Sequence, residues 1–347
     1  MAVATRPPAP VPPIPSLPPP PGRVPTPPRT RPGWLRPASL LAAVAITITV
    51  AFDLGKVVGV VLLFVLIVPF ERLFPRHRQP IRRPHLGTDL AYALVATPLT
   101  TIGLAVGLVL SVVSLLWIPA LLLRPLVLAI PTFPRLVLGI LLFDLLTYWT
   151  HRFAHEVPFL WRFHRIHHST EHLDWISGAR GHPFDGVLLA PAFAFLVVAG
   201  FSPIAAGALA VVQIVVALFL HANVRFRLRP LQRIVATPEF HHWHHANEPE
   251  AIHANYASFL PLHDLLFGTY FVPDDRRPTV YGTDDEVSHG IAGQLWDPFR
   301  GLRNPITSLR HPRAGVRELA VMLRRGIGQL GASARRSRGP GPAHPHL

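Results

Sequence analysis

The chain reads LVLGILLFDLLTYWTHRFAHEVPFLWRFHRIHHS from Leu136 to Ser169, an apolar run that passes without a break into two dense clusters of histidine. The clusters are His151 and His155 in HRFAH, then His164, His167 and His168 in HRIHH, and a third follows as His241, His244 and His245 in HHWHH. Their spacings are i, i+4 and i, i+3, i+4. On a helix those separations place side chains on one face within a turn, so each cluster can aim several imidazoles at one point. His242 falls off that face and is read as a neighbour. Neutral imidazole serves iron, copper, zinc or nickel, so spacing alone names no metal.

Working outward, apolar stretches run from Ala38 to Phe70, Leu90 to Pro119, Leu136 to Trp149 and Val187 to Leu220. The first and last are long enough for two short spans each, punctuated by Asp53 and Lys56 and by Ser202 and Pro203. Half of the 347 residues are hydrophobic and mean hydropathy is +0.34. The sequence therefore predicts an all-α, polytopic membrane helical bundle of about 4–6 spans or half-spans. Arg72, Arg76, Arg78, Arg82 and Arg83 crowd the loop after the first stretch, while the loop between Pro119 and Leu136 has only Arg124 and Arg135. The excess of positive charge places the first loop in the cytoplasm, and paired spans bring every histidine cluster to that face.

Four segments are expected. Residues 1–36 form a disordered Pro/Arg-rich arm, and 38–86 a membrane hairpin with its basic loop. Residues 87–290 form the membrane catalytic domain, and 291–347 a cytoplasmic segment with a loose basic tail. The formal charge of +14 comes largely from arginine at the ends and in loops that hold few aromatics. Anionic lipid headgroups suit it, and nucleic acid is not an expected partner.

The chain contains no cysteine, which removes disulfides, thiolate metal sites and iron–sulfur clusters. Any metal must be held by nitrogen and oxygen. The 20 histidines, most of them between His151 and His289, are the main functional signal. Eight at ligand spacing beside membrane spans point to a metal centre, and four ligands per site implies two metals. Asp144 lies seven residues before His151, about two turns along the same face, and is expected to orient that imidazole from behind.

The run DLLTYWTHRFAH, then FHRIHHS, RGHPFD, HAN, TPEFHHWHH and NYASFLPLHDLLFGTY resembles the fatty acid hydroxylase and sterol desaturase superfamily of membrane di-iron oxygenases, over roughly Glu71 to Phe271. The resemblance implies a helical membrane fold with a cytosol-facing, histidine-rich helical cap, and non-haem iron bound by His151, His155, His164, His167, His168, His241, His244 and His245. It adds His221 of HAN as a further ligand, and His182 of RGHP as a ligand or a donor to one. Asp185 stands where the family often has glutamate, and His263 where tryptophan is usual. Two iron ions and O2 are the implied cofactor and co-substrate, acting on a C–H bond of a membrane lipid or sterol-like substrate. Hydroxylation is the leading expectation and desaturation the alternative.

The chain has no dinucleotide fingerprint, haem attachment motif or cluster cysteines, so a separate donor is expected, a reductase with a ferredoxin-like or cytochrome-type carrier. The expected location is the cell membrane, multi-pass. A histidine-rich metal transporter is the rival from another class, but transporters place polar ligands near the midplane of their spans. A zinc hydrolase would need a HExxH-type base, which is absent.

Overall fold

The computed structural model describes residues 54–115 and 117–300. The arm at 1–36, the stretch from Ala38 to Asp53 of the expected first hairpin, and the basic tail lie outside these residues. Among the described residues the fold is helical, with no strand and two isolated bridges, Pro75–Val224 and Ala246–Tyr281. The long helices are α1 (Leu54–Leu73), α2 (Leu86–Val113), α3 (Ile118–Ala129), α4 (Thr132–Glu156), α5 (Pro158–His168), α6 (Phe184–Val198) and α7 (Pro203–Leu220). Short helices α8 (Pro238–His244), α9 (Leu262–Phe267) and α10 (Ile291–Trp296) follow, with 3-10 turns at Trp175–Ala179 and Asp297–Phe299.

The helix ends follow from local chemistry. Pro158 forces Val157 into an extended conformation (φ −96°, ψ 113°), which stops α4 and starts α5 at a sharp corner. Gly200, at φ +100°, closes α6: its N–H donates to Val197 and that of Phe201 reaches back to Leu196, the paired bonds of a Schellman cap. Ser202 then caps α7 through Ala205 N–H, with Pro203 in the first turn. The punctuation at Ser202 and Pro203 is thus the turn of a helical hairpin.

Helices α4 and α7 are long and apolar enough to cross a membrane, and α2, α3 and α6 carry shorter apolar segments. Their large side chains face outward: Leu122 is 73% exposed, Leu126 68% and Ile214 61%. With Val65, Leu66 and Phe70 of α1 they make an apolar exterior far beyond the patch a water-soluble monomer tolerates. The architecture is that of a membrane helical protein.

The loop read between Pro119 and Leu136 is corrected by the structure, because it holds α3. Leucine-rich turns start at Pro119 and continue past Pro125, and the 12 residues extend only about 18 Å. Arg124 of α3 donates to the carbonyls of Val197 and Val198 at the end of α6, which puts α3 at the pole where α6 finishes. The opposite pole gathers the end of α1 and the start of α2. Glu71, in the last turns of α1, accepts from the N–H groups of Trp175 and Asn223, and Asp89, in the first turn of α2, pairs with Arg180 at 2.5 Å. Close contact between α2 and α6 fixes this arrangement. A Cβ on Gly107 would lie 2.6 Å from that of Ala190, and one on Gly103 would fall on the Pro183 carbonyl.

Candidate metal centre

Helix α4 does not stop with its apolar run at Trp149 but continues to Glu156, so His151 and His155 project from its polar end. Beside it, α5 presents His164, His167 and His168, α7 ends on His221, and α8 carries His241 and His244 with His245 as its C-cap. Thr237 caps α8 through Phe240 N–H, and Pro238 opens its first turn.

These nine rings converge as two groups, within each of which the potential ligand atoms lie within 4.8 Å of one another. The first holds His151, His155, His164, His168 and His244; the second holds His167, His221, His241 and His245. Both α5 and α8 divide their rings between the groups, which places the groups side by side. His168 of the first stacks on His245 of the second at 4.1 Å between centroids.

The nitrogens are arranged to hold cations. In the first group every Nε2 is buried without a hydrogen-bond partner, a costly state unless something is bound. In the second, the four Nε2 atoms meet at 2.9–3.2 Å. The Nδ1–H of His167 donates to the Arg180 carbonyl (2.7 Å) and that of His221 to the Ala217 carbonyl (2.6 Å). In the neutral form both Nε2 atoms are then lone-pair acceptors, yet they sit 3.2 Å apart, an arrangement that suits a cation between them. A four-coordinate ion with metal–nitrogen distances of about 2.1 Å separates its ligands by roughly 3.4 Å, close to what is seen. Burial pushes His164, His167 and His221 down to about 3, so these imidazoles are neutral, the ligating form.

Residues 136–269, which contain all nine rings, match the fatty acid hydroxylase family model. That stretch is similar to the fatty acid hydroxylase family. The chain is 34% identical over 173 residues to an ornithine lipid hydroxylase of Rhizobium tropici, covering 48% of this chain and 50% of that protein. It is 31% identical over 157 residues to an alkylglycerol monooxygenase of Danio rerio, covering 44% and 33%. A very-long-chain aldehyde decarbonylase of Oryza sativa subsp. indica is 28% identical over 159 residues, covering 41% and 24%. The chain thus spans half or less of the length of these curated relatives. No solved structure matches it.

The fold brings nine of the ten rings named from sequence into the two groups, and leaves out His182. The His182 Nδ1 accepts from Phe184 N–H (3.0 Å) and its Nε2 faces the Leu295 carbonyl (3.2 Å), so both ring nitrogens are taken by backbone. His242 is a neighbour as expected, bonded to the Tyr281 hydroxyl and to the carbonyls of His221 and Ala222. His263 lies beside Asp144, and His289 stacks on His85.

Asp144 needs a second correction. It does not meet His151: its carboxylate accepts from the N–H groups of Phe259 (3.2 Å) and Leu260 (3.1 Å) and lies 3.2 Å from His263 Nε2. Two turns of helix carry it toward the loop after α8 instead. The partner of His151 is the Tyr256 carbonyl, which accepts its Nδ1–H at 2.7 Å, and His244 likewise donates to Ala254 (2.9 Å). Backbone carbonyls therefore orient the rings from behind.

Those carbonyls are themselves pinned by residues the sequence did not single out. Asp264 accepts from Tyr256 N–H (2.8 Å), Ala257 N–H (2.9 Å) and the Thr269 hydroxyl (2.7 Å). Burial pushes this carboxyl up to about 6, against those donated bonds. Asn255, at φ +60°, ties the same loop to Phe240 and Phe271. Arg180, whose carbonyl holds His167, is anchored by Asp89, and Arg83 joins Asp89 to Asp174. Gly178 is required because a Cβ there would come within 2.8 Å of His221 Nδ1. The available signal was an acid eight residues after Tyr256 in NYASFLPLHD, without a pattern to say whose atoms it would accept from.

Proposed function

We propose that this protein is a membrane di-iron oxygenase that uses O2 to hydroxylate a C–H bond of a membrane lipid. The observation that carries the reading is the pair of adjacent histidine groups, the Nε2 atoms of the first buried without partners and those of the second turned toward one another. His151, His155, His164, His168 and His244 would hold one iron, and His167, His221, His241 and His245 the other. When bound, the iron pair supplies the oxygen activation that no side chain can provide. The chain's own part is orientation and exclusion of water. Carbonyls of Tyr256, Arg180, Ala217 and Ala254 fix the rings, while the fully buried Tyr256 ring packs against His151, His155 and His244.

The names of the similar proteins, a lipid hydroxylase and alkylglycerol monooxygenases, favour a headgroup-bearing lipid and hydroxylation over desaturation. A transporter is disfavoured because the rings cluster at helix ends rather than midway along a span. The catalytic unit is residues 87–290, preceded by the hairpin at 38–86. The arginines that follow α1 share the pole of the metal centre, where Arg76 pairs with Glu239 at 2.7 Å, which supports a cytoplasmic site in a cell-membrane protein. Electrons come from a separate reductase and carrier.

The test is oxidation under 18O2 in membranes containing the protein, followed by mass spectrometry of lipids. A lipid heavier by one 18O atom is expected. A species lighter by two hydrogens would mean desaturation, and no oxygen-dependent product in iron-replete membranes would overturn the reading.

A further inference from the structure

Next to the metal centre, the end of α1 runs into a turn at 74–79 that lies along residues 223–225. Pro75 bridges Val224, Arg76 N–H donates to the Asn223 carbonyl (3.1 Å), and the Asn223 amide bonds both the N–H (2.9 Å) and the carbonyl (2.8 Å) of His77. Beside this pairing is a cavity of about 550 Å³, walled by Arg72, His77, Arg78, Gln79, Asn223 and Arg225 among others. That volume suits a small polar group.

The wall carries an unbalanced positive charge. Its one acid, Glu71, is occupied by the N–H groups of Trp175 and Asn223. Arg72 donates to the Gln79 carbonyl and Arg225 lies over the Phe74 ring at 5.5 Å, and neither they nor Arg78 form an ion pair among the described residues. Arginine enrichment at a membrane edge is expected on topological grounds alone. That rule accounts for Arg82, which is exposed and outside the cavity, but not for four arginines lining one concavity, of which Arg76 is paired with Glu239.

Two further features say what would fill it. The apolar side chains Val65, Leu66, Phe70 and Leu73 of α1 are exposed just before the cavity, so a ligand with its charge inside can lay a hydrocarbon chain along them. The wall residue Asn223 follows His221 by two positions, at most about 7 Å of backbone. Guanidinium groups bind oxyanions through short, charge-assisted hydrogen bonds.

We propose that this cavity seats the anionic headgroup, phosphate or carboxylate, of the lipid that the metal centre oxidises. The inference rests on the lipid-oxidising reading for the word substrate, but binding can be measured without turnover. The test uses the full chain in neutral detergent, titrated calorimetrically with short-chain phosphatidic acid, the matching diacylglycerol and inorganic phosphate. Phosphatidic acid should saturate, with diacylglycerol silent and inorganic phosphate much weaker. The double variant Arg78→Gln/Arg225→Gln should weaken phosphatidic acid about tenfold or more, and Arg82→Gln should leave it unchanged.

Equal loss in Arg82→Gln would show general attraction to a basic surface. Equal binding of diacylglycerol would show an apolar site, and equal binding of inorganic phosphate a site for a soluble anion. Any of these, or full binding by the double variant, overturns the proposal. Melting temperature and metal content measured on the same samples should not move, because these side chains are exposed and touch no histidine of either group. A metal-free wild type that still binds phosphatidic acid would instead fault the oxygenase reading and leave the headgroup site standing.

Discussion

Asp264→Asn is the substitution that tests how the site is held. The carboxylate gives one oxygen to Tyr256 N–H and Thr269 Oγ1 and the other to Ala257 N–H. An asparagine of the same shape can keep the first pair, but its amide nitrogen then faces the Ala257 N–H, donor against donor. A buried donor left unpaired costs about 1–3 kcal/mol. The cost falls on the segment whose Tyr256 carbonyl takes the Nδ1–H of His151 at 2.7 Å. Loss of such an outer partner typically lowers metal affinity about 10- to 100-fold. The assay is iron release to a chelator, with thermal melting in parallel. Faster release of one iron is expected, with the second retained, because His167, His221, His241 and His245 do not rest on this loop. A variant that melts earlier yet releases both irons at the wild-type rate would refute the reasoning and leave Asp264 a purely structural residue.

Gly178→Ala drives a Cβ to within 2.8 Å of His221 Nδ1 and should reduce metal binding to the second group while sparing the first, read by metal counting and melting. Asp144→Asn should disturb the loop at Phe259 and Leu260 before it affects metal, seen as faster amide exchange there with iron content largely kept. Stripping metal with a chelator should lower the melting temperature, since an ion present at 100 times its dissociation constant stabilises by about 2.7 kcal/mol; an unchanged melt would mean that the buried nitrogens are satisfied some other way. The absence of native cysteine allows single-cysteine labelling: Arg78→Cys should react only from the cytoplasmic side, and reaction only from the outside would invert the topology.

How far the sequence could be read depended on the range of each interaction. Histidines four apart must share a helix face, so HRFAH, HRIHH and HHWHH were legible as sets of converging rings, and HAN was added by resemblance. The division of α5, with His164 and His168 going to one group and His167 to the other, was not legible, because it depends on where α4 and α7 stand around α5. The same limit explains Asp144. Helical phase correctly put it on a buried face of α4, but phase cannot say that the loop at Phe259 and Leu260 would pack there. His182 has ligand chemistry and lies near the site, yet backbone groups at Phe184 and Leu295 take both its nitrogens. Helix α3 was read as a loop because it carries Pro119 and Pro125 and is too short to span, and its leucines are exposed rather than packed into a core that the sequence could signal.

The most direct test of the account is a metal count on protein purified in neutral detergent without chelator from iron-replete cells. With one iron held by each of the two adjacent histidine groups, the account predicts two irons per chain, falling by at least one when His155 or His241 is replaced by alanine. A single tightly held zinc, or wild-type protein with no transition metal and an unaltered melting temperature, would contradict it.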